Sequence, residues 1–437
     1  MPISASENDV RAKTLRRVTI RIIPFFMVCY LFAYIDRTNM GFAALQMNAD
    51  LSISATVYGW AASIFFISYL LFEVPSNLIL EKVGARRWIS CLMIVWGLVS
   101  TSMAFVVGPK SLYLVRFLLG MTEAGFFPGV ILYLTYWFPR ADRAKIIGMF
   151  LIAQPLSGFI GSPLSGALLG LDGWLGVRGW QWMFILEALP ATVLGIVVLW
   201  WITDKPTHAT WLEADQRNWL VNQMQKEDKI ASTGHVPLLQ IMKDPRVLLL
   251  GLVYSGAVMA EYGLIFWIPQ MIKEFGLTNF KTGLLGSLPY AAAIIAMLIW
   301  GFHSDKTKER KIHVAFPLLL ASLGLAVCIT SVSLTATMIA LCLTLVGCFS
   351  VKPPFWAMAT ENLPTGFVAA AIAQINSMAI FSALIGPFLI GWVKDNTGSY
   401  VMALIPLIVL ALIGFGTIFV LPKGKEPQAT NGALEAQ

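Results

Sequence analysis

Charged residues are scarce in this sequence. Aspartate, glutamate, lysine and arginine make up 13% of its 437 residues, whereas 57% are hydrophobic and the mean hydropathy is +0.72. Soluble domains contain about 25% charged residues, so the composition excludes a soluble protein of this length. Alternating segments of about ten residues, which build membrane barrels, are also lacking. The sequence therefore predicts an all-α polytopic membrane protein.

The sequence also lacks the residue patterns of a metal centre, a disulfide framework or an enzyme. Its five cysteines occur in apolar segments without Cys-x-x-Cys spacing, and its four histidines form no His-Glu-x-x-His motif. No nucleophile and base stand together, so we expect no enzyme, no metal and no cofactor. A sensor that does not transport is disfavoured, because the linker and tails contain no signalling domain.

Apolar runs of about twenty residues, long enough to cross a bilayer as helices, occur about twelve times. The first run follows the basic residues between Arg11 and Arg21, as in a secretory signal, but it is too long and lacks a small-residue cleavage site. We therefore expect it to be a retained span. The runs begin near Ile20, Val57, Trp88, Leu112, Lys145, Trp180, Val247, Thr282, His313, Leu334, Phe367 and Tyr400.

Lysine and arginine cluster on one side of the predicted membrane. They are frequent before the first run, in the connections after the second, fourth and eighth runs, and at the end of the chain, where Lys423 and Lys425 lie. The positive-inside rule then places both termini in the cytoplasm, which requires an even number of spans. The net charge of +7 is thus distributed by side of the membrane, and we expect no nucleic acid partner.

The longest polar stretch, residues 203–244, divides six predicted spans from six. Within it, residues 211–224 carry apolar side chains at helical spacing, which indicates a short surface helix. The stretch as a whole is interpreted as a tether. The predicted units are a cytoplasmic tail (1–19), an N-terminal six-helix bundle (20–202), a cytoplasmic linker (203–246), a C-terminal six-helix bundle (247–422) and a cytoplasmic tail (423–437).

A weak internal repeat relates the two halves. An acid followed by a base recurs in the connections after the second and eighth runs, and two glycines five residues apart recur in the fifth and eleventh runs. Glycines allow helices to approach closely, and such a repeat fits two bundles that rock around a central site. The residues concerned are Glu81, Lys82, Gly84, Arg86, Asp305 and Lys306 in the connections, and Gly161, Gly166, Gly386 and Gly391 in the runs.

The connection after the second run resembles the signature of the major facilitator superfamily, with departures at Asn77, Glu81 and Ala85. Further stretches resemble its anion:cation symporter branch, which includes bacterial D-galactonate, L-rhamnonate, tartrate and phthalate transporters. The resemblance implies twelve transmembrane helices in two bundles, alternating access, a monomer in the bacterial inner membrane, and three partners, namely a small organic anion, protons and the lipid bilayer. The stretches are 34–39, 72–77, 123–129 and 133–139.

Charges inside the apolar runs mark the candidate site. A formal charge at the bilayer centre costs about 2.5–3.5 kcal/mol on insertion scales, so Arg37 and Arg116 are expected to face a polar cavity. Counting from the predicted ends of their runs places both about 8 Å below the outer surface. Two guanidiniums at one depth can clamp a carboxylate. Extension of both side chains to the membrane interface is the alternative.

Glu123 follows Arg116 by seven residues, two helical turns, so it shares the same face about 10 Å deeper. Burial favours the protonated carboxyl, whereas a nearby arginine favours the carboxylate, so movement of Arg116 or of substrate could switch Glu123 between charge states. Asp36 is the second candidate for proton coupling, and the resemblance implies the same two roles. A purely structural role for Asp36, neutralising Arg37, is the alternative.

Further substrate contacts are expected from Tyr34, by its position near Arg37, and from four residues that match binding positions of the family. For Tyr34, Tyr69 and Gln154, packing is the alternative role. The sequence assigns no role to Lys352, at a proline-rich break in the tenth run, or to the buried acids Glu187 and Glu261, and Glu73 near Pro75 is interpreted as structural. The four matching residues are Tyr69, Gln154, Trp356 and Asn376.

Together these features predict a proton-coupled importer of an organic carboxylate. The stretches 161–166 and 261–266 resemble sugar-acid and tartrate carriers, and polar Gln154 and Asn376 favour a hydroxylated acid. An aromatic carboxylate of the phthalate or hydroxyphenylacetate type is the alternative substrate. Anion exchange without proton coupling is the alternative mechanism.

Overall fold

The computed structural model describes residues 5–231, 241–363 and 368–421. Within these residues the chain contains helices and no strand, and twelve helical segments are long and apolar enough to cross a membrane, which confirms the predicted class. We number these segments as spans 1 to 12. They cover Asp9–Asp50, Ala55–Val83, Ala85–Phe105, Pro109–Trp137, Arg140–Leu171, Gly179–Trp201, Pro245–Ile265, Asn279–Thr307, Lys311–Thr330, Leu334–Asn362, Ala370–Thr397 and Met402–Val420.

The first helix is longer than its apolar run. It extends from Ala5 to Asp50, so it begins within the predicted tail and continues beyond the predicted outer end. The extension is held by packing, because Met47 is buried and Gln46 donates a hydrogen bond to the Leu169 carbonyl at 3.1 Å. Arg37 therefore lies thirteen residues from the outer end of the helix. That corresponds to about 20 Å along the helix, whereas the predicted end of the run lay about 8 Å from Arg37, so the predicted end of this helix was wrong. The depth of Arg37 below the membrane surface stays a prediction.

The connection between the bundles contains a short 3-10 helix, Pro206–His208, and the α-helix Ala214–Ala231, which overlaps the surface helix predicted at 211–224. Trp211, just before it, stacks on Trp137 of span 4 with ring centroids 5.4 Å apart. Arg17 of the first helix pairs with Glu213 at 2.8 Å. The start of this helix is thus attached to the N-terminal bundle. Outside the described residues lie the predicted start at Phe367 and the tail 423–437 with Lys423 and Lys425.

Glycines bring the two bundles together at equivalent places. A Cβ at Gly166 in span 5 would lie 2.7 Å from the Asn279 carbonyl oxygen of span 8. Six spans later, a Cβ at Gly391 in span 11 would lie 2.1 Å from the Ala55 carbonyl oxygen at the start of span 2. The repeat seen in the sequence therefore reappears as close helix contacts between the bundles. The other two repeat glycines pack within a bundle, Gly161 against Ile35 and Gly386 against Gly263.

The outer ends of the bundles are in contact, on the membrane side opposite the linker. Asp395, near the end of span 11, accepts hydrogen bonds from the backbone N–H groups of Ala55 at 3.1 Å and Thr56 at 2.7 Å. The Tyr58 hydroxyl of span 2 donates to the Phe266 carbonyl beyond span 7 at 2.9 Å. This conformation is therefore closed to the outside.

Candidate functional site

Interruptions in three spans position the polar residues of the site. Span 4 is interrupted directly after Glu123, span 10 directly before Lys352, and span 5 shortly before Gln154. Gly125 in the first interruption has no room for a side chain, because a Cβ would lie 1.7 Å from the Ser76 hydroxyl. Interrupted helices in membrane carriers line the cavity where substrate binds. The three interruptions thus indicate where the substrate cavity lies.

Arg37 of span 1 forms a buried ion pair with Glu123. Its Nε lies 2.6 Å from Glu123 Oε1, and the two side chains are 9% and 1% exposed. The guanidinium also donates from Nη1 to the Tyr262 hydroxyl of span 7 at 3.2 Å. The rings of Tyr34 and Tyr69 lie 5.3 and 5.1 Å from the guanidinium carbon, within the range of cation–π attraction. The predicted residues Tyr34, Arg37, Tyr69 and Glu123 are thus brought together.

Arg116 lies close by but is not fully paired. Its Nε donates to the Ala61 carbonyl at 3.2 Å, and its guanidinium carbon lies 4.9 Å from the centre of the Phe65 ring. Nη2 is buried without a hydrogen-bond partner among the described residues. Leaving a buried donor unpaired is costly, so this group is suited to donate a hydrogen bond to a carboxylate ligand. With 1% of its surface exposed, Arg116 does not extend to the membrane interface.

Asp36 points away from Arg37 into the N-terminal bundle. It accepts hydrogen bonds from Trp96 Nε1 at 2.5 Å, Ser100 Oγ at 2.6 Å and Asn39 Nδ2 at 3.3 Å. Adjacent residues of a helix do not face each other, which explains why Arg37 pairs with Glu123 instead. Asp36 is therefore held by neutral donors of its own bundle.

The C-terminal bundle contributes a second buried ion pair, between Glu261 of span 7 and Lys352. Lys352 Nζ lies 2.9 Å from Glu261 Oε2 and donates to Gln154 Oε1 at 2.6 Å. Gln154 Nε2 in turn donates to Glu261 Oε1 at 3.1 Å. Tyr34 hydrogen-bonds to Gln154 and Tyr262, so the two ion pairs belong to one polar cluster. Sequence reasoning left Glu261 without a role, although an acid followed by tyrosine in an apolar span was a signal.

Trp356 and Asn376 lie in other contacts. The Trp356 ring packs edge-on against Tyr254 of span 7 with centroids 5.0 Å apart. Asn376 Nδ2 of span 11 donates to Glu73 Oε1 of span 2 at 3.3 Å, so this pair joins the bundles. Glu73 therefore has a polar partner in the opposite bundle. Its position near Pro75 in the sequence did not indicate this contact.

The repeated connections hold helix ends on the linker side. Gly84 adopts φ +94°, a left-handed conformation that favours glycine, and Asp204 Oδ1 accepts from the Arg86 backbone N–H at 2.8 Å. In the second connection, Asp305 pairs with Arg310 at 2.8 Å, and Arg310 also contacts Glu361 at 3.2 Å. Three further residues of the predicted motif, Glu81, Lys82 and Lys306, are exposed.

Comparisons with known proteins agree with this architecture. A family model described as Major Facilitator Superfamily matches residues 26–387. A "Putative tartrate transporter" of Agrobacterium vitis is 50% identical over 393 residues, which covers 90% of this chain and 91% of that protein. A "Quinolone resistance transporter" of Acinetobacter baumannii is 40% identical over 427 residues, covering 97% of this chain and 98% of that protein.

Solved structures agree as well. The inward-facing, unoccupied structure of a bacterial homologue of the human lysosomal transporter Spinster has a TM-score of 0.76 and 16% identity, covering 92% of this chain and 97% of that one. At this identity the likeness shows the fold alone. The family match, which covers most of the sequence, shows the family of the chain as well as its fold.

The chain belongs to the Major Facilitator Superfamily, as its sequence predicted. It is a transporter rather than an enzyme, and a multi-pass protein of the bacterial inner membrane with a small-molecule substrate.

Proposed function

We propose that this chain imports a hydroxylated organic carboxylate together with protons, by alternating access. The observation that carries the proposal is the buried Arg37–Glu123 pair at 2.6 Å beside the unpartnered Nη2 of Arg116. Arginine presents a planar fork of donors that matches a carboxylate better than lysine does. The relative named for tartrate, which is 50% identical, supports a hydroxylated acid.

Polar groups around the arginines can bind substrate hydroxyls. Tyr34 hydrogen-bonds to both Tyr262 and Gln154, and Tyr262 accepts a hydrogen bond from Arg37. In the absence of substrate these groups satisfy one another. A hydroxylated ligand would replace those bonds with its own, which limits the cost of removing buried polar groups from their partners.

Proton coupling follows from competition for Arg37. A substrate carboxylate that binds the guanidinium displaces the Glu123 carboxylate, which then takes up a proton to avoid being a buried unpaired charge. Loss of that proton to the cytoplasm restores the Arg37–Glu123 pair and expels the substrate. One proton then accompanies each carboxylate bound at Arg37.

The test uses Glu123→Gln in proteoliposomes with tartrate as the probe. Glutamine mimics the protonated acid, so accumulation driven by a pH gradient should be abolished while tartrate binding and tartrate exchange remain. Glu187→Gln is the matched control, because Glu187 is equally buried but bonded to Ser165 at 2.7 Å. It should keep accumulation, which a protonophore should collapse.

Two results would contradict this proposal. If Glu123→Gln still concentrates tartrate from a pH gradient, Glu123 is not the essential proton carrier, and Asp36→Asn becomes the next variant to assay. If the wild-type protein exchanges tartrate but never accumulates it, anion exchange replaces symport.

An aromatic carboxylate is the second candidate substrate. Its support is the set of rings around Arg37, where Phe65, Tyr34 and Tyr69 lie 5.1–5.3 Å from the guanidinium carbon, and the relative named for quinolone resistance. A thermal-shift comparison of tartrate with phthalate decides between them, since a ligand at a hundredfold excess over its Kd stabilises by about 2.7 kcal/mol. A larger shift with tartrate is expected.

A further inference from the structure

The two ion pairs occupy equivalent positions in the two bundles. In the N-terminal bundle, Arg37 of span 1 meets Glu123 at the interruption of span 4. Six spans later in each case, Glu261 of span 7 meets Lys352 at the interruption of span 10. The sites of acid and base are exchanged between the repeats, and Glu123 directly precedes its interruption whereas Lys352 directly follows its own. We therefore expect the Glu261–Lys352 pair to have the same kind of role as the Arg37–Glu123 pair.

The second pair is part of the central cluster rather than of the protein's lipid-facing surface. Both its side chains are buried, at 3% and 0% exposure. Lys352 reaches across to Gln154 of the N-terminal bundle at 2.6 Å, and Tyr34 of that bundle donates to Glu261 at 3.4 Å. A molecule bound between the bundles would therefore meet a cation from each side, Arg37 and Lys352.

We propose that Lys352 binds a second substrate carboxylate while Glu261 takes up a second proton, so that the substrate is a dicarboxylate carried with two protons. This inference rests on the proposed function and adds the substrate class and the proton count. Lysine is a point charge that binds a carboxylate with less geometric selectivity than arginine does. Arg37 therefore sets the orientation of the substrate, and Lys352 binds the carboxylate at its other end.

The charges balance at every stage. In the empty carrier each cation is neutralised by its own glutamate. In the loaded carrier the two carboxylates of the dianion neutralise Arg37 and Lys352, and each glutamate holds one proton. No covalent bond forms or breaks. The two pairs, with or without the dianion, therefore contribute no net charge in either state, which limits the cost of keeping these groups buried.

Lys352 is the cation that forms an ion pair with Glu261, at 2.9 Å. The other titratable groups near this acid among the described residues, from spans 1, 7, 8 and 10, are phenols and one thiol, which are neutral at physiological pH. Gln154 of span 5 adds a neutral amide donor at 3.1 Å. Displacement of Lys352 by a substrate carboxylate therefore removes the local stabilisation of the Glu261 carboxylate. The groups around Glu261 are Tyr34, Tyr254, Tyr262, Tyr290, Cys348 and Lys352.

The test measures tartrate accumulation in proteoliposomes with the membrane potential clamped by potassium and valinomycin. With two protons per dianion, a pH gradient of one unit at zero potential should give about hundredfold accumulation, since one unit corresponds to a factor of ten for each proton. An inside-negative potential should have no effect. Glu261→Gln should lower the accumulation to about tenfold and make it sensitive to an inside-negative potential, because one negative charge now enters with each substrate.

A second variant tests recognition. Glu261→Gln with Lys352→Met removes both charges, so no buried charge is left unpaired and folding is preserved. Wild-type protein should be stabilised more by tartrate than by threonate, which has four carbons but one carboxylate. The double variant should lose that preference while it still binds both acids through Arg37. Glu187→Gln should keep the wild-type stoichiometry and preference.

Each outcome is decisive. Any of three results would refute the proposed role of the Glu261–Lys352 pair and leave the proposed carboxylate transport standing. These are hundredfold, voltage-insensitive accumulation by Glu261→Gln, one proton per tartrate in the wild type, and an unchanged preference for tartrate in the double variant. Failure of wild-type protein to bind any carboxylate would overturn both.

Discussion

Asp395 closes the outer side of the carrier by capping a helix of the opposite bundle. Its carboxylate accepts from the first two backbone N–H groups of span 2, at 3.1 and 2.7 Å. Those donors have no partner within their own helix, and the positive end of the helix dipole attracts the negative charge. Opening of the outer side must break this contact. Asp395→Ala should therefore favour the conformation that is open to the outside.

The size of the effect follows from known values for helix caps. Loss of a side-chain cap costs about 0.5–2 kcal/mol, and the charge–dipole attraction about 0.3–1 kcal/mol. Asp395 is exposed, so solvent reduces the second contribution. A total of about 1–2 kcal/mol changes the ratio of the two conformations about 5–30-fold. Span 2 itself stays capped, because Ser54 Oγ accepts from Val57 N at 3.3 Å within the same bundle.

The assay is a distance distribution between spin labels on the outer connections of the two bundles. Val107 and Val332 are suitable sites in a cysteine-free background, being 84% and 95% exposed. Asp395→Ala should increase the population with the longer distance. The matched control is Asp172→Ala, which removes a cap on the Gly179 N–H at 2.9 Å within the N-terminal bundle. An unchanged distribution, or an equal shift in the control, would refute the reasoning.

Two further predictions concern the arginines and a glycine. Arg37→Lys and Arg116→Lys should each weaken tartrate binding at least about tenfold, measured by calorimetry. The charge is kept in both variants, but the planar fork of donors is lost. Unaffected binding in both variants would show that the substrate does not bind in this cleft. Gly391→Ala should hinder closure of the outer side, since its Cβ would lie 2.1 Å from the Ala55 carbonyl oxygen. Gly416→Ala is the control and should not hinder closure, because a Cβ there would have nothing within 4 Å. Equal spin-label distance distributions for the two variants would contradict this prediction.

The sequence predicted the twelve spans because hydropathy reports directly on residues that must face lipid or a packed core. It did not predict where a helix ends. The first helix continues to Asp50 through polar residues that are paired with other spans, such as Gln46 with the Leu169 carbonyl. Hydropathy detects the apolar run but not such contacts, and the predicted end of the first helix was wrong for that reason.

The partners of the site residues were only partly predictable. That Asp36 and Arg37 face different directions follows from their adjacency in a helix. That Arg37 selects Glu123, 86 residues away, requires the packing of span 1 against span 4. The pairing of Glu261 with Lys352, separated by 91 residues, has no local signal at all. A buried acid without an evident partner in one bundle could nevertheless have been compared with its equivalent in the other.

The division of contacts between and within the bundles suits an alternating carrier. Both ion pairs, Arg37 with Glu123 and Glu261 with Lys352, lie within one bundle each, so they survive when the bundles rock apart. Bonds that cross the interface at the site, such as those from Tyr34 and Gln154 to Glu261, join groups that can hydrogen-bond to water once the cavity opens. Neither ion pair therefore has to break when the empty carrier changes conformation, whereas a substrate that displaces a glutamate without supplying a proton leaves an unpaired charge in the apolar interior.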